Sequence, residues 1–258
     1  MPQSFIDELI VFGRYSIAAI DPQIPGTAPV CSYCKLGSVP SVNVLSVFHN
    51  HNPKALGYVG VDHSRSRVIL IFGPVIGAQI KLVAQDIFPR RWPRELPGSY
   101  VYEGLVMTYE AIRDRVIRQT EDAVKKYPNY ELVIIGHSQG AAYTTFALYD
   151  LATKHPDWNI TAIPSGSPRV GNTVFAEAVN KLKNVTIYRT TYKRDAIVHV
   201  PPIEEFVHIN TEYFYTDDNQ IVKCNSYEPY GEDPNCSDRY TCDELNEEDH
   251  AKYLSEYF

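Results

Sequence analysis

The chain contains no apolar run approaching the ~18 uncharged residues of a membrane-spanning helix, so no transmembrane segment is expected. Its opening stretch, MPQSFIDELIVFGRYSIAAI, is broken by Asp7, Glu8 and Arg14. That makes it a poor signal peptide and predicts an amphipathic helix over Ser4–Ile20. No stripe of Lys and Arg interleaved with aromatics is present, so nucleic acid is not an expected partner. Cysteine is sparse, at 5 residues. Cys31-x-x-Cys34 has no second C-x-x-C to complete a zinc cage. It also lies in a loop rich in Pro and Gly, not at a helix start where a redox pair belongs. His49-x-His51 lacks a third ligand and reads as a polar turn, so no metal is expected. No repeat, linker or low-complexity tract interrupts the sequence, and one domain covering residues 1–258 is expected.

What is present is an ordinary globular composition, 44% hydrophobic and 21% charged over 258 residues, enough for one large core. The net charge of −7 is concentrated at one end. Residues 204–258 hold 15 acidic and 3 basic side chains, against 16 and 21 in the preceding part. Cys31, Cys34, Cys224, Cys236 and Cys242 are read as disulfide candidates, and an odd number leaves one without a partner in the chain. Asn159, Asn184 and Asn235 each open an N-x-S/T sequon and are candidates for N-glycosylation. Both features lean toward an extracellular location, with any signal peptide outside this numbering.

The apolar pattern alternates between strand-like and helix-like segments. Val42–Phe48, Ala55–Val61, Val68–Phe72, Leu132–Ile135, Thr161–Ser165 and Val185–Thr191 read as strands. Tyr102–Lys126, Ala141–Leu151 and Val174–Leu182 read as helices, and residues 73–96, broken by Pro74, Pro89 and Pro93, read as irregular. Continuous apolar strands separated by helices indicate an α/β fold, a mostly parallel central sheet with helices on both faces.

The most informative stretch is ELVIIGHSQGAAYTTFALYD, residues 131–150. A buried strand stops at Gly136, one serine stands between two glycines, and a helix follows. So sharp a reversal forces its apex residue to positive φ, and Gly136 and Gly140 remove the side chains that would crowd it. Ser138 then projects from the sheet edge at a helix N-terminus, where free N–H groups favour negative charge. A serine nucleophile needs a histidine base held by a carboxylate, and strand–turn–helix hydrolases order the three as Ser, Asp or Glu, His. Asp195, just past the strand ending at Thr191, is the candidate acid. His155, His199, His208 and His250 all follow Ser138, and order alone leaves the base open.

YPNYELVIIGHSQGAA, SGSPRVGNTVFAEAVN, YRTTYKRDAIVHVPP and EDHAKYL, in this order, resemble the class 3 lipases, a family of fungal lipases and feruloyl esterases with relatives in other eukaryotes. The resemblance covers nearly the whole chain. It implies an α/β-hydrolase fold and a serine carboxylic ester hydrolase without cofactor, acting on acylglycerols or, alternatively, on feruloyl and other aryl esters. It carries the nucleophile to Ser138, the acid to Asp195 and the base to His250, with His208 as the rival base. Oxyanion N–H groups are expected from Gln139, where the family usually has Leu, and from the segment after VILIF. There the family typically reads F-R-G-T/S. This chain reads Phe72, Gly73, Pro74, Val75, which puts Val75 at the donor position. A slip of one residue puts Pro74 there, which has no N–H. A lipase-like binding protein with impaired catalysis is therefore the alternative from a different class. VIGAQIKLVAQDIF takes the place of the family's lid. Ile76, Ile80, Leu82 and Val83 are its expected apolar residues, covering the site in water and meeting a lipid interface transiently.

Overall fold

Along Arg67–Phe72 and Glu131–His137 successive side chains alternate between two buried faces. Val68, Leu70, Phe72, Leu132 and Ile134 join one apolar cluster, while Ile69, Ile71, Val133 and Ile135 join another. A central parallel pair needs cover on both faces, which is why these strands read as unbroken apolar runs. The computed structural model describes residues 7–9, 11, 12, 15, 42–51, 54–73, 88–202, 206–225 and 232–253.

The described strands are β1 (Val42–His51), β2 (Lys54–Asp62), β3 (Arg67–Phe72), β4 (Pro89–Arg91), β5 (Tyr100–Tyr102), β6 (Glu131–His137), β7 (Ile160–Ser165), β8 (Val185–Ile187), β9 (Arg189–Tyr192), β10 (Glu212–Tyr215) and β11 (Ile221–Lys223). The main sheet runs β1-β2-β3-β6-β7-β9-β10-β11, with β8 also beside β7. β3, β6, β7, β9 and β10 are parallel, and both edges are antiparallel. The expected parallel centre is therefore present, and the antiparallel pairs sit where a strand needs less cover. Two local readings are corrected. Val185–Thr191 is not one strand but β8 and β9, divided at Tyr188. The span 73–96 contains β4, which pairs antiparallel with β5.

The helices α1 (Glu103–Lys126) and α2 (Gln139–Lys154) cover the first face. α1 buries Leu105, Tyr109, Ile112, Val116 and Ala123, the three-and-four spacing of one helical stripe. Asp150 on α2 accepts two guanidinium N–H bonds from Arg113 and one O–H bond from Tyr109, each at 2.7 Å, and so ties the two helices together. On the second face, residues 7–9, 11, 12 and 15 are helical, and Leu9, Phe12 and Tyr15 are buried there. Two further helices, α3 (Thr173–Asn180) and α4 (Glu248–Lys252), follow β7 and β11. Among the described residues no helix is long and apolar enough to cross a membrane.

Of the five cysteines, Cys224 and Cys236 form a disulfide, Cys242 is a free, exposed thiol, and Cys31 and Cys34 lie outside the described residues. The sequon asparagines are exposed. The Asn184 amide donates to the Pro156 carbonyl and the Asn235 amide to Asp233. The disulfide spans 12 positions and closes a loop carrying Glu232, which pairs with Arg169. A loop of that length is expected to contribute about 3 kcal/mol by restricting the unfolded chain. Urea titration of the Cys224→Ser/Cys236→Ser variant should show that loss; an unchanged midpoint would mean the crosslink restricts nothing.

Candidate active site

β6 ends at His137 and α2 begins at Gln139, leaving Ser138 alone at the apex with φ 60° and ψ −125°. The two glycines act by close approach. A methyl group at Gly136 would lie 2.1 Å from the Gly140 carbonyl oxygen, and one at Gly140 would lie 2.6 Å from that of Phe72. Strand, turn and helix can close only if both positions lack a side chain.

The Ser138 hydroxyl donates to His250 Nε2 at 2.7 Å, and His250 Nδ1–H donates to Asp195 Oδ2 at 2.9 Å. Because a carboxylate only accepts, Nδ1 carries the proton and Nε2 is free to receive one. All three residues are buried, Asp195 completely. The residues expected as nucleophile, acid and base are thus in one hydrogen-bonded chain.

Main-chain bonds build this chain from distant segments. Ala196 N–H donates to the Asn246 carbonyl at 3.0 Å, and Asn246 N–H donates to the Arg194 carbonyl at 2.9 Å. This clasp fixes the acid turn against the start of α4. Asn246 Oδ1 also accepts the Asp249 N–H in the first turn of α4, at 2.8 Å. Asp195 Oδ1 accepts the Ile197 N–H at 2.8 Å, so its second oxygen faces the imidazole. Asp249 Oδ1 accepts from Lys252 Nζ at 3.0 Å, and its Oδ2 accepts the Arg194 N–H at 3.2 Å.

Two residues that sequence reasoning did not single out complete the arrangement. Tyr253 donates its hydroxyl to Asp195 Oδ2 at 2.7 Å and accepts the Tyr192 N–H at 2.8 Å. His137 stacks on His250 with ring centroids 4.7 Å apart, and its Nε2–H donates to the His250 carbonyl at 3.0 Å. Burial, with the nearby His250 adding to it, pulls the His137 pKa down to about 3. The ring is therefore neutral and does not oppose positive charge on His250. Tyr253 offered one signal in the sequence: it stands one helical turn after His250.

The His137 shift also has a consequence for folding. Its folded value lies below the ordinary histidine value, so the unfolded chain binds the extra proton between those two pH values. The contribution is complete above about pH 6.5 and is lost as pH falls toward 3. His137→Asn is expected to flatten the acid limb of unfolding free energy by up to about 1.4 kcal/mol per pH unit in that window. Denaturation measured across that range checks it; an unchanged slope would show that His137 takes up its proton equally in both states.

The rival base is displaced. His208 donates Nε2–H to the Val198 carbonyl at 2.7 Å, and burial with Arg189 holds its pKa well below the usual range. The Gln139 N–H, at the helix start, has no acceptor among the described residues and is available to an oxyanion. Val75, Ile76, Ile80, Leu82 and Val83 lie outside the described residues. Glu212, Cys224 and Cys236 form the metal-capable cluster found among the described residues, but its sulfurs are joined in the disulfide.

Comparison with known proteins agrees with this architecture. The sequence pattern of the family described as Lipase (class 3) matches residues 78–205. The chain is 31% identical over 201 residues to the secreted mono- and diacylglycerol lipase A of Penicillium cyclopium, an alignment covering 75% of this chain and 64% of that protein. It is 26% identical over 182 residues to a lipase of Rhizopus niveus, covering 69% of this chain and 46% of the relative. The chain thus spans between about half and two thirds of the length of these relatives. The structure of the Rhizomucor miehei triacylglyceride lipase superposes with a TM-score of 0.87 at 23% identity, covering 98% of this chain and 96% of that one. At that identity the likeness concerns the fold, which is α/β-hydrolase. The chain belongs to the class 3 lipase family.

Proposed function

We propose that this chain is an extracellular serine carboxylic ester hydrolase of one α/β-hydrolase domain, acting on acylglycerols. The observation that carries the reading is the hydrogen-bonded chain from Ser138 through His250 to Asp195. Ser138 attacks the ester carbonyl as His250 Nε2 takes its proton. Asp195 holds the imidazole with Nδ1 protonated and stabilises the positive ring. The Gln139 N–H meets the developing oxyanion. His250 then gives its proton to the leaving alcohol, and water repeats the sequence on the acyl-enzyme. The reaction balances with ester and water alone. The names of the fungal relatives support acylglycerols as the substrate class, and the disulfide supports the compartment.

A fluorophosphonate probe tests the nucleophile. Wild type is expected to label and Ser138→Ala is not; equal labelling of both would sink the assignment. Hydrolysis of p-nitrophenyl esters of rising acyl length, beside mono- and diacylglycerols and feruloyl esters, tests the substrate class. Faster turnover of feruloyl esters than of every acylglycerol would replace it with an aryl esterase.

A further inference from the structure

Gln139 is polar and stands at the start of α2, yet it is only 8% exposed. One turn along the same face, Tyr143 is 1% exposed. The Tyr143 hydroxyl has no hydrogen-bond partner among the described residues. Leaving such a donor unmet is unfavourable. The Gln139 carboxamide and the Thr108 hydroxyl lie close enough to affect Tyr143 ionisation, although neither is aligned as a hydrogen bond. Thr108 already donates to the Gly104 carbonyl at 3.1 Å. Burial pushes the Tyr143 hydroxyl well above the usual tyrosine range, so it remains an O–H donor.

This strip of α2 faces the end of β3. The Tyr143 ring meets the Phe72 ring edge-on at 5.9 Å, and the close approach of Gly140 is to the Phe72 carbonyl. After Phe72 the sequence continues Gly73-Pro74-Val75. In strand–turn–helix hydrolases the second oxyanion donor comes from such a loop; the ungapped reading gives that position to Val75, and a slip of one residue gives it to Pro74, which offers no N–H. The Gln139 carboxamide, beside Tyr143, belongs to the strip of α2 that meets the end of β3.

We propose that the Gln139 side chain is itself an oxyanion donor, its carboxamide oxygen accepting the Tyr143 O–H and its N–H turned to the ester oxygen that becomes negative. The proposal rests on Ser138 being the nucleophile. Gln139 then supplies two donors, one from the main chain and one from the side chain. Tyr143 is a positioning residue that selects the orientation of the amide.

Leucine or methionine at position 139 keeps the main-chain donor and deletes the other. The test compares wild type, Gln139→Leu, Gln139→Met, Tyr143→Phe and the Gln139→Leu/Tyr143→Phe pair on p-nitrophenyl butyrate. Rates are expressed per site titrated by the fluorophosphonate, so a partly folded variant is still read. Both Gln139 variants are expected to lose about 10–100-fold in kcat, with KM within about threefold, because the contact forms only as charge develops. Tyr143→Phe should lose about 3–10-fold in kcat, and adding it to Gln139→Leu should cost nothing more. Retention of kcat within about threefold in both Gln139 variants overturns the proposal, as does full additivity of the pair. Failure of the wild type to label overturns the ester-hydrolase reading, and this proposal with it.

Discussion

Alanine at His250 is expected to lower kcat by about 10⁴–10⁶ and to leave substrate binding nearly unchanged. The hydroxyl of Ser138 donates to one acceptor, His250 Nε2 at 2.7 Å. No other described imidazole replaces it. His137 is neutral, and the nitrogen that carries its proton is committed to the His250 carbonyl. His208 is committed to Val198 on another part of the fold. Serine without a base is a poor nucleophile near neutral pH, so the loss should appear in kcat and in the labelling rate together. Steady-state hydrolysis of p-nitrophenyl butyrate checks it. A fall of less than about 100-fold would mean that another base serves Ser138.

Asp195→Asn is expected to cost about 10⁴ in kcat, through orientation of the amide more than through lost charge. Asp195 Oδ1 accepts the Ile197 N–H, while Oδ2 accepts from both His250 Nδ1–H and the Tyr253 hydroxyl. An asparagine keeps its oxygen on the Ile197 N–H, because an NH₂ group there would meet another donor. Its NH₂ then faces the imidazole, donates to Nδ1 and moves the ring proton to Nε2. That proton points at the serine that should be giving one up. Kinetics on the variant, with proton NMR of the imidazole N–H, tests both halves. Activity within tenfold of wild type, or a proton still on Nδ1, would refute this account of the acid.

The elements around Ser138 were legible because their causes are local. A buried strand, two glycines at fixed offsets and an apolar helix are all written within residues 131–150. Asp195 was legible from its place after a strand of the parallel centre. His250 was not, except by resemblance, because α4 has only five residues and its place is set by the clasp between Asn246 and the acid turn, far apart in sequence. Tyr253 and His137 escaped for the same reason. Spacing puts Tyr253 on the face of His250 but cannot say that Asp195 lies opposite. His137 read as an unassigned position inside a motif. Tyr188 hid the division between β8 and β9, since apolar continuity carries no information about pairing register. The spacing of the cysteines likewise could not choose Cys224 and Cys236 over Cys242.

The two bonds that link Arg194, Ala196 and Asn246 in the clasp run between peptide groups. Side chains on the outer side of either arm can drift without altering where the imidazole stands. Chain length there has no such freedom. One inserted residue advances an extended chain by about 3.3 Å, more than a hydrogen bond can stretch. Substitution of the Arg194 or Ala196 side chain should therefore leave the clasp in place, whereas insertions and deletions along either arm should not.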